Sequence, residues 1–433
     1  MLKANTIKVN LAQVIGKIKP LNGGNLAPSL TEDNNNSNSE FKALNLPYTR
    51  LHDAPLENPG LRLVDISNVF PIFHLDASDP RNYTFATTDD YVKNCIDLGT
   101  EVIYRLGESV ENSKRIYAGG PPPDYKQWVE ICTGVIKHYT EGWGNGFHFD
   151  IKYWEIWNEP EGWCWWSGTS TLDKFNEFYA EVAIELKKRF PHLLFGGPGH
   201  LTLDSGDDFF KVCHAKNVPI DFYSFHNYGS SVEEMCEMVY RAQKLINDYG
   251  YRDTLLYLSE WHYMPGQFQL VPRRARVEFF EESLKDIDSA LFLAEVLIAW
   301  QDTPLDMGGY YTVTATRFGL LRTYSRTICK NYRAMRMFGE LALDRERIQA
   351  ECDTPGTRLL ASRNKDHATV LVTSPRSGNL NYQFKLDQKV KKIEVVALNR
   401  IQDEETVAVV ENTDFIDFPV LIEPAVFLIR IDI

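Results

Sequence analysis

The chain has 433 residues, enough to bury a large core and to divide into one large and one small domain. Its composition is that of an ordinary globular protein with a high aromatic share of 12%, and its formal net charge of −13 argues against nucleic acid or an anionic membrane as a partner. Seven cysteines without tight spacing read as free buried thiols, no apolar leader opens the chain, and a cytoplasmic location is the expectation.

An alternating stretch at 7–13 comes first and predicts a strand; the first strand of the main domain lies there or shortly after it. Residues 31–40 are polar and low in complexity, which predicts an exposed loop. Apolar and aromatic runs at 46–50, 102–106, 153–157, 193–196, 222–225, 255–258 and 309–311 predict further strands. Amphipathic stretches lie between them, such as 172–189, where Leu172, Phe175, Tyr179, Val182, Ala183 and Leu186 keep one face apolar. The apolar run 290–300 is interrupted by Glu295 and is too short to cross a bilayer. Strand and helix alternate through most of the chain, which predicts an α/β fold, a (β/α)8 TIM barrel over 14–344. No GxGxxG follows the first strand, so a dinucleotide-binding sheet is not expected. From 358 onward the pattern changes to short alternating stretches at 368–373, 392–397, 407–410 and 426–433. They predict a small C-terminal antiparallel β-sandwich over 345–433, joined by residues 1–13 as an added strand.

Two strand ends carry the chemistry. Tyr153-Trp154-Glu155-Ile156-Trp157-Asn158-Glu159-Pro160 is an apolar strand that Pro160 stops, leaving Glu159 at a mouth rather than in a core. A hundred residues on, Leu255-Leu256-Tyr257-Leu258-Ser259-Glu260 repeats the arrangement before Trp261 and His262. Glutamates at two strand ends, flanked by aromatics, are what a glycosidase needs: one acid/base and one nucleophile. The paired ends of a barrel are also where such an enzyme keeps its active site. Neither a CxxC pair nor an HExxH is present, so no metal and no cofactor are expected.

These motifs resemble the retaining glycoside hydrolases of clan A, and within it glycoside hydrolase family 39, the β-xylosidase and α-L-iduronidase family. The resemblance rests on Asn158-Glu159-Pro160 and Ser259-Glu260-Trp261, and further on Arg50-Leu51-His52, Gly196-Gly197-Pro198, His226-Asn227-Tyr228 and Phe318-Gly319-Leu320-Leu321. It implies Glu159 as acid/base, Glu260 as nucleophile, Asn158 as the amide on the sugar's 2-hydroxyl, and Arg50 and Tyr228 beside the nucleophile. The xylosidases of the family follow their Arg-x-His with glycine where this chain has Asp53, which leaves the identity of the sugar open.

His52 and His226, at predicted strand ends, are candidates for holding sugar hydroxyls. Trp163, Trp165 and Trp166 directly follow the acid/base strand and read as a stacking surface or a packed lid. Glu108 ends a third strand and Tyr310 and Tyr311 lie near the eighth; each is a candidate substrate contact. Asp65, His74 and Asp76 lie in a long excursion after the second strand that could shape the pocket. The expected function is a retaining, exo-acting, β-D-xylosidase-like hydrolase of oligosaccharides or glycosides. An endo-acting or other-sugar enzyme of the galactosidase, arabinosidase or iduronidase type and a non-catalytic carbohydrate-binding barrel are the alternatives. A metal- or nicotinamide-dependent barrel enzyme lacks its motifs, and the oligomeric state is left open.

Overall fold

Strand β1 (Asn5–Lys17) is followed by eight short ones: β2 (Gly23–Asn25), β3 (Tyr48–Leu51), β4 (Glu101–Leu106), β5 (Tyr153–Ile156), β6 (Leu194–His200), β7 (Phe222–Gly229), β8 (Leu255–Tyr263) and β9 (Met307–Tyr310). The structure, a computed structural model, describes residues 5–30, 36–58, 60–110, 120–162, 171–266, 270–375, 380–420 and 422–433. Strands β2 to β9 pair in parallel and in chain order, and β9 returns to β2 to close a barrel. Helices such as Ala86–Asp97, Tyr125–Glu141 and Leu172–Arg189 make the crossovers, the last with the bounds its apolar periodicity predicts.

The barrel interior follows the two-residue period of a strand. Tyr48, Ile103, Phe222, Tyr257 and Met307 plug the end where the strands begin. Two residues further on, Arg50, Arg105 and Glu155 take the inward positions of β3, β4 and β5, all fully buried. The alternate residues, among them Leu51, Tyr104, Trp154, Ile156, Leu256 and Leu258, face the helices and join the larger core. A barrel buried on both faces reads as apolar except at the few inward positions that do chemistry.

The stretch 7–13 is a strand, but not of the barrel. β1 pairs with β10 (Glu346–Cys352), and a second sheet continues through β11 (Arg358–Arg363), β12 (His367–Ser374), β13 (Leu380–Leu398), β14 (Asp403–Val420) and β15 (Ala425–Asp432). Its order is β1-β10-β11-β12-β15-β13-β14. The first part of β13 runs parallel to β1 while its second part pairs with β15, so the sheet folds over and encloses its own core. Ile7, Val9, Phe384, Ile393 and Ile429 are part of that core. All the other pairings in this sheet are antiparallel. The first barrel strand is instead Gly23-Gly24-Asn25, which has no apolar pattern to announce it. A Cβ at Gly23 would lie 2.0 Å from the Tyr48 ring, so the strand must be small to sit beside β3.

The apolar run near 290–300 is the helix Ile287–Ala299, buried almost all round. It packs against helix Lys330–Leu343 and β8 on one side and against β11, β12 and β15 on the other. Among the described residues no helix is long and apolar enough to cross a membrane.

Candidate active site

β5 stops at Ile156 and the chain then turns sharply, with Trp157 and Glu159 at φ of 72° and 42°. Non-glycine residues in that region cost about 1–3 kcal/mol each and persist where their surroundings hold them. Here the Trp157 N–H donates to the Leu106 carbonyl of β4 at 2.8 Å, and the Glu159 N–H donates to the Gly199 carbonyl of β6 at 2.9 Å. The neighbouring strands thus fix the turn that carries Asn158 and Glu159.

β8 delivers Glu260 by a different device. Phe225 pairs with Leu258, but the next pair is His226 with Glu260, so β8 holds one residue more than β7 at this point. Leu256 and Leu258 face the helices, and strict alternation would send residue 260 the same way. The bulge turns it into the mouth. As a result, a carboxyl oxygen of Glu159, one of Glu260 and a ring nitrogen of His226 all lie within 4.8 Å of one another.

Arg50 ties the constellation together from β3. Its Nη1 donates to Glu260 Oε1 at 2.8 Å and to Asn25 Oδ1 at 3.1 Å. Its Nη2 donates to Asn158 Oδ1 at 2.5 Å and its Nε to Glu155 Oε2 at 2.5 Å. One planar fork therefore orients four side chains from three strands or their ends, which a lysine could not do. Gly199 makes room for this: at φ 64°, a Cβ there would stand 3.3 Å from Arg50 Nη2, Asn158 Oδ1 and His226 Nε2. The Tyr228 hydroxyl donates to Glu260 Oε2 at 2.6 Å.

The two glutamates differ in electrostatic setting. Burial pushes Glu159 up to about 7, with Arg50 opposing, so its carboxyl holds a proton near neutrality. Desolvation is what raises it. Burial also raises Glu260, and Arg50 and the Tyr228 hydroxyl pull it back toward the ionised form. Burial works against the Arg50 charge, and Glu155 and Glu260 outweigh it, so that guanidinium is held cationic. His226 is lowered to about 4 by burial and is neutral; its Nδ1 shares a hydrogen with Glu159 Oε1 at 2.8 Å. An acid and a stabilised carboxylate across a gap under 5 Å match the spacing of a double displacement rather than that of an inverting pair.

Glu159, Glu260, Asn158, Arg50, Tyr228, His226 and His52 are thus brought together, His52 with Nε2 3.9 Å from Glu260 Oε1. His226 meets the acid/base through Nδ1, and its Nε2 is buried without a hydrogen-bond partner. Two expectations are corrected. The Tyr310 hydroxyl joins His262 Nε2 at 2.8 Å and Asn331 Nδ2 at 3.2 Å in the core, because alternation along β9 turns that side chain away from the barrel interior, toward the helices and against Trp261. Its neighbour Tyr311 faces the site instead, packing edge-on to Tyr228. Glu108 is committed to the Ser67 N–H and hydroxyl at 2.9 and 2.6 Å, with burial pushing it up to about 8. Asp65 pairs with Arg105 at 2.6 Å. Trp163, Trp165 and Trp166 lie outside the described residues. Asn25 and Glu155 carry no assignment in the sequence reading. Glu155, the one charge in an apolar strand, was the available signal for a partner to Arg50.

Glu159, His226 and Glu260 also have the donor types of a metal site. Both Glu260 oxygens already accept hydrogen bonds, however, and the adjacent guanidinium opposes a cation.

Comparison with known proteins agrees with this geometry. A family model described as glycosyl hydrolases family 39 matches residues 61–375. A β-xylosidase from Caldicellulosiruptor saccharolyticus is 25% identical over 334 residues, covering 68% of this chain. The chain spans 64% of that relative's length. Among solved structures, a glucosidase from Croceicoccus marinus superposes with a TM-score of 0.84 at 20% identity, covering 99% of each chain. A monomeric β-xylosidase from Caulobacter crescentus does so at 0.74 and 15%, again over 99% of each chain.

Proposed function

The chain belongs to the glycosyl hydrolases of family 39, and on that premise we propose that it is a retaining β-glycosidase, β-D-xylosidase-like, that removes a terminal sugar from oligosaccharides or glycosides. The observation that carries the reading is the approach of Glu159 and Glu260 to within 4.8 Å across the barrel mouth.

In the first step a Glu260 oxygen attacks the anomeric carbon and forms an ester bond to it. The bond from that carbon to the leaving oxygen breaks, and Glu159 gives its proton to the departing group. Arg50 and Tyr228 hold the attacking carboxylate, and Asn158, fixed by Arg50, is placed for the 2-hydroxyl. In the second step Glu159, now ionised, takes a proton from water. The water oxygen bonds to the anomeric carbon, and Glu260 leaves. Two inversions give net retention. The name of the Caldicellulosiruptor relative supports xylose as the first sugar to try.

The test is a panel of 4-nitrophenyl glycosides (β-xyloside, β-galactoside, β-glucoside, α-L-arabinosides) with wild type and Glu260→Ala, read by nitrophenol release and by the anomeric configuration of the first product. Turnover with retention is expected, and the alanine variant should lose activity by on the order of 10⁴-fold or more. Activity that survives Glu260→Ala, or a product of inverted configuration, would overturn the reading.

A further inference from the structure

The end of the barrel opposite the two glutamates is not closed flush. Where β3, β4, β5 and β9 begin, a cavity of 670 Å³ lies between the barrel, the last turn of helix Lys330–Leu343 and the junction of β1 with β10. Small-molecule sites span about 300–1,000 Å³, so this one has the room of a ligand site. The plug of Tyr48, Ile103, Phe222, Tyr257 and Met307 stands between it and the catalytic mouth. A molecule held here therefore cannot be one on its way to Glu159 or Glu260.

Its walls carry polar groups that the fold leaves unused. Asn22 is 1% exposed; its Nδ2 donates to the Asn45 carbonyl at 3.3 Å, while its Oδ1 is buried with no partner. A buried acceptor without a donor is costly, and a ligand hydroxyl removes that cost. Lys17 and Arg345 stand at the rim, and among the described residues neither has an ion pair or a side-chain hydrogen bond. Two acids balance their charge: Glu101, 3.5 Å from Lys152, and Asp306, which accepts from the Leu256 N–H at 2.8 Å. Pro20, Leu343 and the half-buried Tyr153 ring supply apolar surface between these groups.

We propose that this cavity is a second, non-catalytic carbohydrate site that takes a short neutral oligosaccharide. Two cations against two acids leave no net charge to hold a phosphate or a metal ion. Donors and acceptors in nearly equal number, set among apolar patches, suit a molecule whose hydroxyls both give and take and whose ring faces are C–H surface. Sugar hydroxyls donate to Asn22 Oδ1 and accept from Lys17 and Arg345, and a ring face lies against Leu343 and Tyr153. The choice of a sugar rests on the glycosidase reading; the place does not. Because Lys17 and Arg345 come from the sheet junction and Asn22, Tyr153 and Asp306 from the barrel, a bound sugar bridges the two parts of the molecule. It also keeps the protein on an oligosaccharide without competing for the catalytic mouth.

The experiment follows amide hydrogen exchange of Glu260→Ala, which leaves an oligosaccharide intact, with and without xylotetraose or cellotetraose at about 10 mM, enough to populate a weak site. Slowed exchange is expected at 17–22 and 339–345 with at least one of the two sugars. It should vanish when Leu343→Trp is added, since Leu343 is 61% exposed at the rim and the larger ring fills the cavity from outside the core. Lys17→Ala, also at the surface, should raise the half-saturating concentration by about threefold or more. Leu343→Trp alone should keep kcat/KM on 4-nitrophenyl glycosides within about twofold of wild type, because the plug separates the two sites. No protection at 17–22 and 339–345 with either sugar, or protection that survives both substitutions, overturns the second site. Protection confined to 226–230 and 258–262 does so too, and leaves the glycosidase reading standing. A wild type that releases no nitrophenol yet shows the protection at 17–22 keeps the site and removes that reading.

Discussion

Glu159 shows how far one side chain's surroundings set its work. Its carboxyl is raised to about 7 by burial, and the protonated form is the one that donates to a leaving group. Raising pH through that value removes the proton, so kcat/KM should fall above about pH 7 along an alkaline limb. In Glu159→Gln that limb should vanish on activated aryl glycosides, where protonation of the leaving group matters least. A pH–rate profile of the two proteins checks this, and an unchanged limb in the variant would assign it to another group. At this scale the sequence was most legible where chemistry and strand ends coincide, at Asn158-Glu159 and Ser259-Glu260. It was least legible where a side chain's partner depends on rotation about the barrel axis. Nothing local tells that Tyr310 points to His262 while Tyr311 points to Asp53, since adjacent residues at a strand end differ only in the face they take. Glu155 needed Arg50 to make sense of it, and the two are 105 residues apart.

Among the elements, the barrel strands were readable because their apolar runs are bounded by polar turns and separated by periodic helices. Two were not. β2 is three residues of glycine and asparagine, and its identity is dictated by the Tyr48 ring against it. The bulge in β8 leaves no composition mark, although without it Glu260 would face the helices. β1 carries a clear alternation, but alternation says which face is apolar and not which sheet receives it. Ile7, fully buried in the second core, makes the assignment testable. Ile7→Ala should destabilise by about 2–5 kcal/mol, as for other buried aliphatic truncations, and leave the pH profile of the remaining activity unchanged. Denaturant unfolding followed by far-UV circular dichroism measures the first, and a loss below about 0.5 kcal/mol would place Ile7 outside the core.

For the molecule as a whole, barrel and folded-over sheet share material. The helix Ile287–Ala299 is apolar all round because it serves the barrel on one flank and β11, β12 and β15 on the other. Charged pairs cross the same boundary: Arg430 with Glu340, and Lys330 with Asp403. Stripping the sheet away would bare one flank of that helix, so the sheet cannot melt while the barrel stays intact. Calorimetry should accordingly show a single transition whose van't Hoff and calorimetric enthalpies agree. Two resolved peaks would show that the shared helix does not couple them.

The pairing of β1 with β10 and β13 also sets a timetable. Residues 5–17 leave the ribosome first among these strands, whereas their partners at 346–352 and 382–386 arrive only after almost the entire barrel has been made. At ordinary elongation rates that interval is on the order of tens of seconds. Throughout it, a ribbon bearing Ile7, Val9 and Leu11 on one face has nothing to lie against, and a chaperone or neighbouring nascent chains will compete for it.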